Sequence, residues 1–321
     1  MAQHFLLSAK ARTLSLRSIF AAGEDRAYET FCKLRWPDTD GEPVCPKCGC
    51  TDAYRITTRR RFKCVGCTHQ YSVTSGTMFH SRKLSFTDIL AAICIVANAV
   101  KGMSALQLSR DLDVQAKTAF VLAHKLREAM AAETADTSLT GDVEIDGGYF
   151  GGHVRPANRK EDRKDRRRSE NRDLDRRVVV GIRAREGRTR TFVVTSEARG
   201  VDLARRWVSP SSEVYADEAS HWDRLAAFFE TRRINHSEAY SVDGANTNAV
   251  ESYFSRLRRM VDGQHHHVSA RHLHAYAAHA AWMEDHRRRD NGANTYGALA
   301  LALAQRPSPT WKGYWQRYRN V

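Results

Sequence analysis

The chain has 321 residues, enough for two or three domains, and 42% of them are hydrophobic, the share of a protein that buries a core, which excludes disorder throughout. A formal charge of +14 and a pI near 9.7 set up a positive potential that attracts polyanions until salt screens it, so nucleic acid is the expected partner. No apolar run reaches the roughly 20 residues of a spanning helix, and the first residues lack the apolar core of a signal peptide; the expectation is an intracellular protein with no membrane partner.

The first segment, 1–35, has helical spacing and reads as a lead-in helix. From Trp36 to about residue 84 the composition shifts to Pro, Gly, Cys, Arg and aromatics, which suits short strands folded around a metal. Four of the seven cysteines fall in two CxxC pairs, Cys45/Cys48 and Cys64/Cys67, with 15 residues between the pairs. That spacing predicts a four-cysteine structural Zn²⁺ site, with Gly49 and Gly66 letting the two turns fold around the ion. Chance clustering and a redox role for either pair are the alternatives. Cys32, Cys50 and Cys94 have no pairing logic, and Cys94 sits in an apolar run that reads as core. Arg59, Arg60 and Arg61 lead into the second pair, interleaved with Tyr54, Phe62 and Tyr71, the composition of a ribbon that contacts phosphate or of a solvated face.

Residues 85–133 are helical throughout, broken near Lys101-Gly102 and again at 111–115, which gives three helices. The last two fit a helix-turn-helix: Leu106, Leu108 and Leu112 pack the first helix, and Gln115, Lys117 and Thr118 open the second, where side chains reach base edges in the major groove. The same pattern also suits a tri-helical bundle without a DNA role.

After a polar linker the pattern changes to strands at 142–146, 177–183 and 189–195, a helix at 203–208, a strand at 213–216, and helices at 222–231, 248–261 and 270–288. This order predicts an α/β fold of the RNase H-like, integrase type over 141–290, followed by a tail, 291–321, without a readable role. Asp142, Glu144 and Asp146 alternate with Val143 and Ile145, so a strand places the three carboxylates on one face, and Gly147-Gly148 would end it. Asp217 follows the apolar run Val214-Tyr-Ala, and Glu251 lies one turn into a helix that carries Asn248, Ser255 and Arg258 on nearly the same face. Carboxylates from three segments can converge on Mg²⁺ or Mn²⁺, which prefer oxygen donors, whereas carboxylates in isolation are mostly surface charges. Arg166, Arg167 and Arg168 belong to a mixed-charge stretch, 155–177, that reads either as a solvated loop or as a phosphate-contacting insert behind the Asp146 strand. The histidine run 265–267, with His272, His274 and His279, is assigned no metal.

Several of these stretches carry a family resemblance. Arg35-Trp-Pro, Cys45-Pro-Lys-Cys-Gly, the run 71–80 (YSVTSGTMFH), the run 143–152 (VEIDGGYFGG), Val214-Tyr-Ala-Asp217, the run 246–251 (NTNAVE) and His266-His-Val-Ser269 resemble, in order, the bacterial insertion-sequence transposases that join an N-terminal zinc ribbon to an ISXO-type DDE domain. The resemblance implies two-metal DNA cleavage and strand transfer, with Asp146, Asp217 and Glu251 as metal ligands, Asn248 as an alternative third residue, and Arg258 where the family usually carries Lys. It also implies double-stranded DNA as partner, a homo-oligomer during transposition, and a bacterial cytoplasmic, nucleoid-associated location. Gly147 departs from the acidic residue common after the first Asp, which predicts weaker metal binding. A non-catalytic DNA-binding regulator and an RNase H-like nuclease are the other functions weighed; the regulator has no need of the three carboxylates, and the nuclease none of the DNA-binding front end.

Overall fold

The computed structural model describes residues 5–151, 157–164, 176–234 and 246–316. Two compact units emerge, Met1–Glu133 together with His286–Val321, and Thr134–Asp285.

In the first unit, α1 (Leu16–Arg35) opens on a capping box in which Ser15 and Ser18 satisfy each other's backbone N–H, and it kinks at Gly23, where φ is 77°. Three short antiparallel strands follow, β1 (Ala53–Ile56), β2 (Arg61–Cys64) and β3 (Gln70–Tyr71), in that order across the sheet. Their apolar content is small: Trp36 meets Phe62 edge-on at 5.7 Å, and Tyr71 closes the cluster. Next comes α2 (Phe86–Asn98), buried on most of its circumference, with Cys94 in the core. Its first turn is held by Glu24 of α1, which accepts from the Phe86 and Thr87 amides at 3.0 and 2.9 Å, a carboxylate placed at the positive end of the helix.

The helices α3 (Ala105–Asp111) and α4 (Ala116–Ala132) are joined by a tight turn in which Asp113 adopts φ 50°. Leu108 is buried as its spacing predicts, but Leu106 is 55% exposed and does not pack the helix. The segment after 291, which the sequence leaves without a role, forms α8 (Asn291–Ala304), capped by Asp290. It packs on α1, α2 and α4. Asn98 at the end of α2 donates to Thr295 Oγ1 at 3.0 Å, and Asn291 Oδ1 accepts from the Thr13 and Leu14 amides at 2.8 and 3.0 Å.

The second unit is a five-stranded mixed sheet in the order β6-β5-β4-β7-β8. The strands β4 (Asp142–Phe150), β5 (Arg177–Ala184) and β6 (Thr189–Val194) are antiparallel neighbours; β7 (Glu213–Asp217) runs parallel to β4, and β8 (Glu230–Ile234) parallel to β7. Val143, Ile145, Val180, Ile182, Val214 and Ala216 send their side chains into a core that includes Val201 and Ala204 of α5 (Gly200–Trp207), together with Trp222. The helices α6 (Asn248–Met260) and α7 (Ala270–Asp285) pack against β4, β5 and β6.

Two expectations change here. The stretch 222–231 is helical only in its first part: a 3-10 helix, Ser220–Ala227, gives way to β8, an edge strand whose Glu230 and Arg232 are exposed while Ile234 is buried. A strand with charged residues and one apolar anchor has no period-2 apolar signature, so the preceding aromatic residues lead to a helical reading. Nor does Gly147-Gly148 end the first strand, because β4 continues to Phe150, pairing Gly147 with Val180 and Gly148 with Val179. A Cβ at Gly148 would lie 2.8 Å from the Phe254 ring, so glycine is required for α6 to lie close on the strand.

Candidate active site

The parallel register of β4 and β7 pairs Asp142 with Glu213 and Glu144 with Tyr215, and the same offset carried forward sets Asp146 level with Asp217. Both aspartates thus emerge from adjacent central strands. Burial raises the Asp146 carboxyl to about 7; the Gly147 amide, 2.7 Å from Oδ1, pulls it down, the charges of Asp217 and Glu197 push it up, and Arg258 pulls it down. Asp217 is half-buried, and its Oδ1 accepts from the Ala219 amide at 3.1 Å.

Glu144, two residues before Asp146 on the same face of the strand, does a different job. It is 1% exposed; Oε2 accepts from the Ala249 and Val250 amides at 2.7 and 2.9 Å, and Oε1 from Arg185 Nε at 2.8 Å. Arg185 in turn donates to the Asn246 carbonyl at 2.9 Å. The N-terminus of α6 is therefore pinned to β4 by a buried carboxylate, which sets the position of the next residue on that helix, Glu251. Glu251 is half-buried, and its Oε1 accepts from Thr247 Oγ1 at 2.8 Å, whereas Asn248 is exposed. Arg258, two turns further along α6, lies with its guanidinium carbon 5.6 Å from the Phe254 ring.

A residue absent from the sequence reading stands beside this group. Glu197 opens the 3-10 turn Glu197–Arg199 after β6; its Oε2 accepts from the Tyr149 hydroxyl at 3.3 Å and lies 3.6 Å from His221 Nε2. Only topology brings it here, because 50 residues separate it from Gly147 in sequence and it belongs to no spaced motif.

The donors around Asp146 are carboxylate oxygens, which suits hard divalent cations rather than zinc. Among the described residues, however, the one set of three or more potential ligands drawn within 4.8 Å of one another is Cys45, Cys48, Cys64 and Cys67. The Sγ atoms of Cys45 and Cys67 are 3.6 Å apart, and those of Cys48 and Cys64 3.5 Å. Each CxxC turn closes on the fourth residue after its first cysteine, with Gly49 N donating to Cys45 O at 2.9 Å and Thr68 N to Cys64 O at 3.1 Å. Those fourth residues are left-handed, φ 75° at Gly49 and 58° at Thr68; Gly66 is not, so the second turn rests on Thr68.

Burial pushes the Cys45 thiol up, but the Lys47 and Cys48 amides and the neighbouring thiols outweigh it and lower it to about 7. Cys48 receives the Cys50 amide, which lowers it, yet sharing protons with Cys67 and Cys64 raises it to about 12. Four sulfurs so close, with one already inclined to the thiolate, fit zinc, which replaces their protons. Stripping the protein with a strong chelator should release about one zinc per chain and unravel β1 to β3, and acidification should speed the release; mass spectrometry under native conditions and circular dichroism read both.

The residues expected to meet DNA are placed unequally. Arg59 and Arg61 are exposed, but Arg60 turns inward to Glu24 at 3.2 Å and Asp25 at 2.5 Å, over the Tyr28 ring. Gln115, Lys117 and Thr118 are exposed at the start of α4, and the Lys117 ammonium stands 5.4 Å from the Trp315 ring. Arg166, Arg167 and Arg168 lie outside the described residues. Among the described residues no helix is long and apolar enough to cross a membrane.

A mixed sheet flanked by helices, with aspartates at the same level of its central parallel strands, is compatible with the RNase H-like class. Residues 138–285 match the family model of the ISXO2-like transposase domain, and residues 22–70 match that of the transposase zinc-ribbon domain. The chain thus belongs to the insertion-sequence transposases that join these two domains. No curated protein matches it.

Proposed function

We propose that the chain is a DNA transposase that cuts and rejoins double-stranded DNA at the ends of an insertion sequence. The observation that carries this reading is the alignment of Asp146 with Asp217 within the transposase-matched region, with Arg258 in electrostatic reach of Asp146. Asp146, Asp217 and Glu251 are the residues that would hold Mg²⁺ or Mn²⁺, with the half-buried Glu251 preferred to the exposed Asn248 as the third. When bound, paired divalent ions would supply positive charge to the attacking and leaving oxygens of an in-line phosphoryl displacement.

The chain's own part is to hold these carboxylates at fixed places before DNA arrives. Glu144 fixes α6 and so Glu251; the strand register fixes the two aspartates. Asp146 must give up its proton on loading, which its neighbours' negative charge resists and an incoming cation favours. Arg258, permanently charged, faces phosphate as a planar fork. In the first unit the zinc ribbon and the α3–α4 pair bind duplex DNA, through Arg59, Arg61, Gln115, Lys117 and Thr118, with Arg60 serving instead to tie the ribbon to α1. Arg166, Arg167 and Arg168, which follow the Asp146 strand in sequence, are assigned phosphate contacts as well. Two chains or more act together because two ends must be joined, in the bacterial cytoplasm at the nucleoid.

The test is to incubate the purified protein with duplex DNA from the edges of its own locus, with Mg²⁺, with Mn²⁺ and with EDTA, beside Asp217→Asn. Metal-dependent nicking at the ends, reduced at least a thousandfold in the variant, is the expected result. Binding without nicking in either protein would replace the enzyme with a DNA-binding regulator.

A further inference from the structure

We propose that a cavity in the first unit, between the start of α4 and the C-terminal segment 308–316, holds an unpaired nucleotide of a DNA strand. This goes beyond the duplex contacts assigned above; only the choice of DNA as the strand rests on the transposase reading.

The cavity measures about 700 Å³, within the roughly 300–1,000 Å³ of sites that enclose a small ligand. Its walls come from α4, from the residues after Phe79 and from the C-terminal segment. That segment is anchored first through Ser308, whose Oγ donates to Glu128 Oε2 at 2.7 Å and accepts from the Trp311 amide at 3.2 Å. Trp311 is buried and stacks on the His124 ring of α4 with centroids 4.4 Å apart. Gly313, at φ 63°, then supplies the left-handed turn that precedes Tyr314 and Trp315. These two rings stand at 89° with centroids 5.1 Å apart, and Trp315 Nε1 donates to the Lys117 carbonyl at 3.4 Å.

Packing accounts for Trp311 but not for Trp315, which keeps 39% of its surface exposed. Tyr314 and Trp315 both line the cavity and form a corner of the kind on which a base stacks. Arg82, Lys83, Lys117 and Lys125 line the same cavity, and among the described residues no Asp or Glu does. Arg82 is engaged by the Phe86 ring and the Leu84 carbonyl. Lys83 and Lys117 are exposed, the Lys117 ammonium 5.4 Å from the Trp315 ring. Lys125 is half-buried and gives one of its three N–H groups to the Met78 carbonyl at 3.0 Å; the other two have no acceptor among the described residues. Burial lowers its pKa, with the Glu128 charge raising it, so this ammonium gains from an anion that enters the cavity. Cations without carboxylates select a phosphate, and ring faces beside them select a nucleotide over a bare anion. A base within a duplex has both faces already stacked, which leaves an unpaired nucleotide as the occupant.

The experiment is fluorescence anisotropy of the zinc-loaded, full-length protein, without Mg²⁺ or Mn²⁺, on a blunt duplex and on the same duplex carrying a short 5′ or 3′ thymidine overhang. The wild type should hold one overhanging duplex about 10- to 100-fold more tightly than the blunt one, the yield of a base stacked on an aromatic side chain. Trp315→Ala should bring the two within about twofold. If Trp315→Ala does not fold, Lys83→Ala, a change at an exposed side chain, decides instead and should narrow the preference severalfold. Equal binding of overhanging and blunt DNA by the wild type, or a preference that survives in the deciding variant, would overturn the proposal. A ribonucleotide overhang held more tightly than the deoxyribonucleotide one would give the cavity to RNA and overturn its assignment to DNA. Nicking plays no part in the measurement: a protein that prefers the overhang but never nicks keeps the cavity and loses the proposed reaction, and one that nicks without the preference keeps the reaction and loses the cavity.

Discussion

Glu144→Ala is expected to lower stability by about 3–5 kcal/mol, the cost of leaving a buried charge without its partner. The loss has two sources. Arg185 would lose its buried carboxylate partner while keeping its contact with Asp142, 3.5 Å away and half in solvent, its donation to the Asn246 carbonyl and its place over the Tyr215 ring. The Ala249 and Val250 amides would lose their acceptor in a site closed to water. Glu144→Gln keeps one acceptor oxygen and should fall between. Because the same carboxylate anchors the first turn of α6, DNA cleavage should fall further than the folded fraction does. Urea unfolding of the three proteins gives the first number, and cleavage per folded molecule the second. A loss under about 1 kcal/mol would mean that packing of Tyr253 and Phe254, not the buried carboxylate, holds α6 to the sheet.

Asp146→Asn should act in the opposite direction on stability while abolishing cleavage. A carboxyl held at about 7 in the folded chain against 3.8 when exposed keeps its proton on folding between about pH 4 and pH 7. The unfolded chain binds fewer protons across that window, so stability falls as pH rises through it and stays low above pH 7. Asparagine carries no such proton, so the variant gains on the wild type progressively from about pH 4 and keeps the full gain above pH 7. At roughly 1.4 kcal/mol per unit the gain reaches a few kcal/mol in the metal-free protein. Adding Mn²⁺ should raise the melting temperature of the wild type and not that of the variant. Equal pH profiles for the two proteins would show that Asp146 is hydrated and charged in the folded state.

What the sequence made legible was whatever depends on local spacing. The CxxC pairs, the alternation around Asp146 and the position of Asp217 after an apolar strand each follow from contacts a few residues apart, and each is found where spacing puts it. The roles of equivalent residues were not legible. Asp142, Glu144 and Asp146 share one face, yet one is exposed, one caps a helix more than 100 residues away, and one meets Asp217; partners from distant segments assign these roles. Arg59, Arg60 and Arg61 are equivalent in sequence too, until Glu24 and Asp25 claim the middle one. Glu197 could not be read at all, because it reaches the Gly147 position from the turn after β6, far along the chain and in no spaced motif. The edge strand β8 was missed because one buried isoleucine leaves no period.

The helix α8 has a consequence for how the molecule is made. Synthesis runs from the N-terminus, so α1, α2 and α4 leave the ribosome before the element they pack on exists. Residues 134–285 are complete as a folding unit while the first unit still lacks its closing helix. A nascent chain therefore completes the unit matched by the transposase domain before the unit that carries the zinc ribbon, and a fragment stopped at residue 285 would retain the former with the latter left open along the faces of α1 and α2.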